Sequence, residues 1–285
     1  MDIVRYSASG QQAPLVGVSD EAGLHPVDQP SLGALLSLPA DRIREIAEAA
    51  ATAAPVTDPV TLLPPADGRM EVWAAGVTYV RSRDARLEES GGADIYDLVY
   101  DAERPELFFK SAAWRTVTTG QAIAIRRDSS LNVPEAELAV VVNAAGTIIG
   151  YTVCNDVSSR SIEGENPLYL PQAKVYAGAC ALAPAIRPAW EVSPDDLAIS
   201  VEVNRNGVAV WAGQSSTSQI KRPLDHLVRY LYAEQDFPEG AILSTGTGAV
   251  PELDFTLQEG DTVSIDVAEV GTLINQVVVG GRAAP

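Results

Sequence analysis

The stretch VPEAELAVVVNAAGTIIGYTVCNDVSSR, residues 133–160, holds two apolar runs joined by a glycine-bearing turn, with acids at its outer ends. Strand alternation puts Glu135, Glu137, Ala139 and Val141 on one face of the first run, and Ala136, Leu138, Val140 and Val142 on the other. Both faces turn apolar within two residues of the glutamates. That is the pattern of a strand covered on both sides, with the acids at its mouth. The competing reading, an edge strand with a solvated acidic face, would want polar residues at 139 and 141. The turn NAAGT makes the two runs a hairpin. A connection of two or four residues centred between Ala145 and Gly146 sets Asp156 opposite Glu135 on one face. A three-residue connection turns Asp156 the other way.

Carboxylates that converge without a cation repel one another and raise their own pKa values. An all-oxygen set favours a hard ion, Mg²⁺, Mn²⁺ or Ca²⁺, and leaves coordination positions open for substrate and water. The two histidines, His25 and His226, have no second ligand near them in sequence, and both read as structural.

Working outward, the first ~65 residues form a small α/β unit, expected as domain 1–65. MDIVRYSA and PLVGVSD read as strands, and SLGALLSLPADRIREIAEAAATAA reads as helical. The connector APVTDPVTLLPPADGR has four prolines and no periodicity, so the boundary falls there. The expected catalytic domain, 66–285, is a succession of Val/Ile-rich strands: MEVWAAGVTY, ELFFKSA, AIAIRR, ELAVVVN, TIIGYTVC, LAISVEVNRNGVAVWAG, GAILSTGTG and DTVSIDVAEVG. YVRSRDARLEES and DIYDLVYDAE read as helical, and SQIKRPLDHLVRYLYAEQ is one amphipathic helix. Hairpin turns rather than crossover helices join several strands. The fold class is therefore mainly β with α (α+β), in mixed or antiparallel sheets, and not a doubly wound α/β sheet.

The chain of 285 residues carries a formal charge of −18, which argues against nucleic acid or an anionic membrane as a partner. An anionic substrate needs a local cation, and lysine is scarce: only Lys110, Lys174 and Lys221 occur. Cys154 and Cys180 sit in apolar stretches without paired spacing and read as core thiols in a reducing compartment. MDIVRYSASGQQ lacks a signal pattern, and no apolar run reaches the ~18 residues of a membrane span. The expected location is cytoplasmic.

PEAELA followed by CNDVSSR resembles the metal-binding signature of the fumarylacetoacetate hydrolase superfamily, and STGTGAV resembles its TGT turn. The resemblance runs from about Gly76 to Gly271. It implies a C-terminal mixed β-roll, a variable N-terminal domain, and a Mg²⁺ or Mn²⁺ ion on Glu135, Glu137 and Asp156 that chelates a 2-keto acid. It also implies a homodimer or homotetramer. Hydrolytic members carry GxNYxxH near the start of the domain. Here the stretch is GVTYVRSR, with Ser82 at the histidine position. GVTYVRSRDARLEES, IYDLVYDAERPELFFKS and ENPLYLPQAKVYAG are instead similar to the 2-keto-3-deoxy-D-arabinonate dehydratase branch, which implies removal of water from a 2-keto-3-deoxy pentonate to give 2,5-dioxopentanoate. No water nucleophile is then required. An acylpyruvate-type C–C hydrolase is the alternative, and a silent ligand-binding relative is a third reading.

The resemblance points to Lys174 and Glu106 as proton-transfer groups. The apolar surroundings of Lys174 would lower its pKa toward a useful value, while a lysine snorkelling to water is the plain alternative. Glu106 could equally be a strand-end surface acid. Arg83 is a candidate for a substrate hydroxyl or carboxylate, or a helix-surface arginine. Tyr79 and Ser111 are candidate pocket hydrogen-bonders, or a core tyrosine and a capping serine. Thr247, between Gly246 and Gly248, sits where exposed backbone N–H groups could hold a carboxylate, or in a plain glycine turn. Arg160 and Glu163 are expected to support the metal ligands or a lid.

Overall fold

A computed structural model describes residues 1–82, 84 and 95–280. The described chain forms an eleven-stranded mixed sheet, a five-stranded sheet packed against it and a short two-stranded pair, with few helices.

The 133–160 stretch lies at the centre of the large sheet. Its strands, Ala136–Val142 and Ile148–Asp156, pair antiparallel, and Ala136–Val142 also pairs with Ala241–Ser244. Every residue of Ala136–Val142 is buried. Leu138, Val140 and Val142 face one core, shared with Val201, Val263 and Leu273 of the five-stranded sheet. Ala139 and Val141 face a second core, shared with Leu32, Leu36 and Ile43. The strand is thus covered on both sides, as the run of apolar residues on both faces requires.

The hairpin reaches its register by an unexpected route. Asn143 N–H donates to the Thr147 carbonyl at 3.0 Å, leaving the three residues 144–146 as the connection. That parity alone would turn Asp156 away from Glu135. The register then shifts from Val142↔Ile148 to Val141↔Gly150, so Ile149 is an extra residue, and the pairing beyond it runs through Glu137↔Cys154 and Ala136↔Asn155. Asp156 N–H accordingly donates to the Glu135 carbonyl at 3.1 Å. The connection is thus three residues long, and the β-bulge restores the facing that a two- or four-residue connection would give.

The N-terminal strand Asp2–Ala8 pairs with Leu15–Asp20 and with Val60–Leu63, and also with Ala185–Pro188, so it lies in the same sheet as the carboxylate strands. Val60–Leu63 falls inside the proline-rich connector, whose residues alternate only briefly between the prolines. Asp67 accepts from Leu32 N–H at 3.1 Å and Gly33 N–H at 3.0 Å, capping the helix Leu32–Leu36 from outside the first 65 residues.

Proline reshapes two expected helices. Leu32–Leu36 and Ala40–Ala50 are separate, split at Pro39, and the amphipathic helix starts only after Pro223, as Leu224–Leu231. NRNG forms a two-residue hairpin turn between Ala198–Arg205 and Val208–Ser216, with Asn206 at φ 52° and Gly207 at φ 80°, the pair of positive φ values a type I′ turn needs. The strand Gly271–Val279 was not among the expected strands; it pairs with both Thr262–Val267 and Ile123–Ile125.

Candidate active site and metal centre

The strands Glu71–Gly76, Glu106–Ala112, Ala136–Val142, Ile148–Asp156 and Ala241–Ser244 all place one end at the same side of the large sheet. The cavity at that end is narrow, with about 20 Å³ open to a water-sized sphere, room for about one water. Glu106, Glu135, Glu137, Asp156, Lys174 and Thr247 all line it.

Glu135, Glu137 and Asp156 are buried, and one oxygen from each lies within 4.8 Å of the others. Each carboxylate has partners of its own, and Lys174 is shared between two of them. Glu137 Oε2 accepts from Ser244 Oγ at 2.5 Å and from Gly246 N–H at 2.8 Å. Glu135 is paired with Lys174 at 2.8 Å and Arg160 at 3.0 Å. Asp156 is paired with Lys174 at 3.1 Å and Lys110 at 2.5 Å. Burial, then the charges of Asp156 and Glu135, push the Glu137 carboxyl well above the usual carboxylate range. Three buried carboxylates at the ends of adjacent strands, one pushed toward its neutral form by burial and its neighbours, suit a hard dication.

Lys174 ends the helix Leu170–Lys174. Its ammonium donates to Glu135, Asp156 and Ser158 Oγ and stands 5.7 Å from the Phe108 ring. It is 2% exposed, so it does not snorkel to water. Glu106 opens its strand directly opposite Gly76 and points into the cavity. Thr247 lies in the turn after Ala241–Ser244. There Gly246, at φ 91°, comes so close to Thr78 that a Cβ would sit 2.0 Å from its Oγ1. Arg160 and Glu163, on the helix Arg160–Glu165, are buried and line the same cavity.

Two expected contacts lie deeper. Tyr79 is buried behind the glycine turn, against Gly248, and its hydroxyl has no hydrogen-bond partner among the described residues; burial and Glu137 hold its pKa high. Ser111 is paired with Val72 in the apolar layer, donates to the Ala112 carbonyl at 3.0 Å and does not reach the cavity. Arg83 lies outside the described residues. Ser82 does line the cavity, its Oγ donating to the Tyr79 carbonyl at 2.9 Å, and no histidine is among the described lining residues.

Lys110 was overlooked in the sequence. Buried at 1% exposure, its ammonium meets Asp156 and donates to the carbonyls of Val157 at 3.1 Å and Lys174 at 2.6 Å. It is the extra residue of a bulge, the register passing from Val72↔Ser111 to Trp73↔Phe109. The available signal was its rarity, since it is one of three lysines and lies in an apolar strand.

Comparison with known proteins gives the same picture. Residues 72–278 match the family described as fumarylacetoacetate (FAA) hydrolase, C-terminal. A probable 2-keto-3-deoxyxylonate dehydratase of Haloferax volcanii is 51% identical over 208 residues, 73% of this chain and 72% of that one. The 2-dehydro-3-deoxy-D-arabinonate dehydratase of Saccharolobus solfataricus is 44% identical over 212 residues, 73% of this chain and 71% of that one. A solved 2-keto-3-deoxy-D-arabinonate dehydratase, complexed with magnesium and 2,5-dioxopentanoate, superposes with a TM-score of 0.83 at 34% identity, covering 99% of this chain and 100% of that one. On the match over 72–278, with the acid triad at its centre, the chain belongs to the fumarylacetoacetate hydrolase family.

Proposed function

We propose that the protein is a Mg²⁺-dependent dehydratase that converts a 2-keto-3-deoxy pentonate to 2,5-dioxopentanoate. The observation that carries this reading is a small cavity in which Glu106 and Lys174 accompany a three-carboxylate centre with no histidine among the described lining residues. The similarity to two dehydratases supports it.

A dication held by Glu135, Glu137 and Asp156, Mg²⁺ or in its place Mn²⁺, would draw electron density from the C2 carbonyl and acidify the C3 protons. Lys174 and Glu106 supply the proton transfers. Between them they take a proton from C3 and give one to the C4 hydroxyl as it leaves as water. The same pair then moves the protons that shift the C3–C4 double bond outward, so that C5 becomes the aldehyde. Thr247 and its turn orient the substrate carboxylate. Arg83 remains the proposed partner of a substrate oxygen. Tyr79 and Ser111 act from behind the cavity wall, fixing the turn and the strand. The xylonate and arabinonate names of the two relatives converge chemically. A 2-keto-3-deoxy acid has lost the stereocentres at C2 and C3, so the two D-series compounds are one molecule, set apart from the L series only at C4. We further propose a cytoplasmic homodimer or homotetramer. The buried free thiols Cys154 and Cys180 support that compartment, and no helix of the described residues is long and apolar enough to cross a membrane.

The test is incubation with Mg²⁺ and either a 2-keto-3-deoxy-D-pentonate or an acylpyruvate. The expected product is an aldehyde from the first alone. Pyruvate from the second, with no aldehyde from the first, would overturn the dehydratase reading in favour of hydrolysis.

Proton linkage gives a further expectation. The Glu137 carboxyl is raised, so between the ordinary carboxylate range and its folded pKa the metal-free protein holds a proton that an incoming dication must displace. Mg²⁺ affinity should therefore fall as pH drops, by about tenfold per pH unit below that pKa. Calorimetric titration in buffers of different ionisation enthalpy should register about one proton released per ion. A pH-independent affinity with no proton release would show that Glu137 is already ionised in the metal-free protein.

A further inference from the structure

We propose that Gly76 is a positioning residue whose missing side chain is the seat of the Glu106 carboxylate. The proposal rests on the reading of Glu106 as a proton-transfer group. Gly76 and Glu106 are direct cross-strand partners in an antiparallel pair, so their Cβ directions share one face, about 4.5–5.5 Å apart. A Cβ on Gly76 would lie 2.1 Å from Glu106 Oε2, 2.7 Å from Cδ and 3.3 Å from Cγ. The acid is folded back across the Gly76 backbone, in space that any other residue would fill.

The backbone at this point has little freedom to yield. Val77, the next residue, is held at φ 52°, a left-handed conformation costly for a β-branched side chain. Thr78 Oγ1 donates to the Thr245 carbonyl at 2.6 Å, and the Thr78 carbonyl accepts from Lys221 N–H at 3.0 Å. On the opposite side, Gly246 approaches so closely that a Cβ there would meet the Ala75 carbonyl oxygen at 3.1 Å. Gly76 itself is not among the residues at positive φ. Alanine is therefore conformationally acceptable at 76, and the need for glycine is a need for room. The group that gives way is the flexible end of Glu106, by about 1 Å, a misplacement that can cost on the order of 10²-fold in rate.

The experiment is a double-mutant cycle on the Mg²⁺-loaded enzyme with Gly76→Ala, Glu106→Ala and the pair, reading kcat, KM, the pH–rate profile and Mg²⁺ affinity. Gly76→Ala is expected to lower kcat about 10²-fold with KM and Mg²⁺ affinity near wild type, and to shift the pH–rate limb that Glu106→Ala removes. In the Glu106→Ala background the same substitution should change kcat less than about twofold, because the clash is gone. Should Gly76→Ala fail to fold while the double variant folds and binds Mg²⁺, the steric conflict with Glu106 is confirmed directly. An active Gly76→Ala beside an inactive Glu106→Ala overturns this inference alone, as do two effects that simply multiply. A fully active Glu106→Ala variant sinks the reading of Glu106 itself.

Discussion

Glutamine at position 137 is expected to abolish Mg²⁺ binding and to lower turnover at least about a thousandfold, while making the metal-free protein more stable than the wild type. The loss of activity follows from the Lewis acid, which supplies several kcal/mol of transition-state stabilisation at 1.36 kcal/mol per decade of rate. The gain in stability has the opposite sign because, without an ion, a charged Glu137 is a liability. Burial and the charges of Asp156 and Glu135 raise its pKa, so the folded state binds more protons than the unfolded chain above the ordinary carboxylate range. Stability of the metal-free protein then falls as pH rises toward the folded pKa. A glutamine oxygen can still accept from Ser244 Oγ and Gly246 N–H, and its amide can donate to the neighbouring acids. Scanning calorimetry with and without Mg²⁺ should show a higher metal-free midpoint, by roughly 2–4 °C per kcal/mol gained for a chain of this size, and no response to the ion. A Mg²⁺-dependent rise that persists in Glu137→Gln would exclude the residue as a ligand.

Methionine at 174 is expected to separate catalysis from metal binding. The substitution keeps much of the side chain's length and removes the ammonium that meets Glu135, Asp156 and Ser158. In the metal-free protein it leaves buried carboxylates with less compensation, a change that typically costs about 3–5 kcal/mol. Added Mg²⁺ should recover much of that loss. Affinity for the ion should rise, because a cation competing for the same two carboxylates is gone. Turnover should still fall about 10²–10⁴-fold, the usual worth of a positioned proton-transfer group. Tighter Mg²⁺ binding with weak turnover is a signature that general damage to the fold would not produce. Weakened Mg²⁺ binding together with unchanged kcat would refute the assignment.

What the sequence conveyed, and what it withheld, follow from the range of the interactions involved. The burial of Ala136–Val142 on both faces was legible because alternation is local, and so was the NRNG turn. The convergence of Glu135 and Glu137 needed no more than period two. Asp156 depended on a register that a single unpaired residue, Ile149, reverses, and no periodicity marks it. Lys110 was missed for the same reason: it sits at a bulge, and its partners come from residues 156, 157 and 174. The expected extent of the amphipathic helix failed where Pro223 overrode the apolar spacing, and the helix boundary at Pro39 was legible only as a proline within a run. The pairing of Ser111 with Val72 in the apolar layer was not legible, because depth along a strand is a tertiary property.

The bulge at Ile149 also limits how this hairpin can change over evolutionary time. Since one odd-numbered turn is offset by one supernumerary residue, adding or deleting a single amino acid on either side of Gly146 would send a ligand of the triad through the sheet to its reverse side. Length variation at this corner should therefore come in steps of two, or be matched by gain or loss of the bulge. Relatives with a shorter or longer turn should show that arithmetic in their strands.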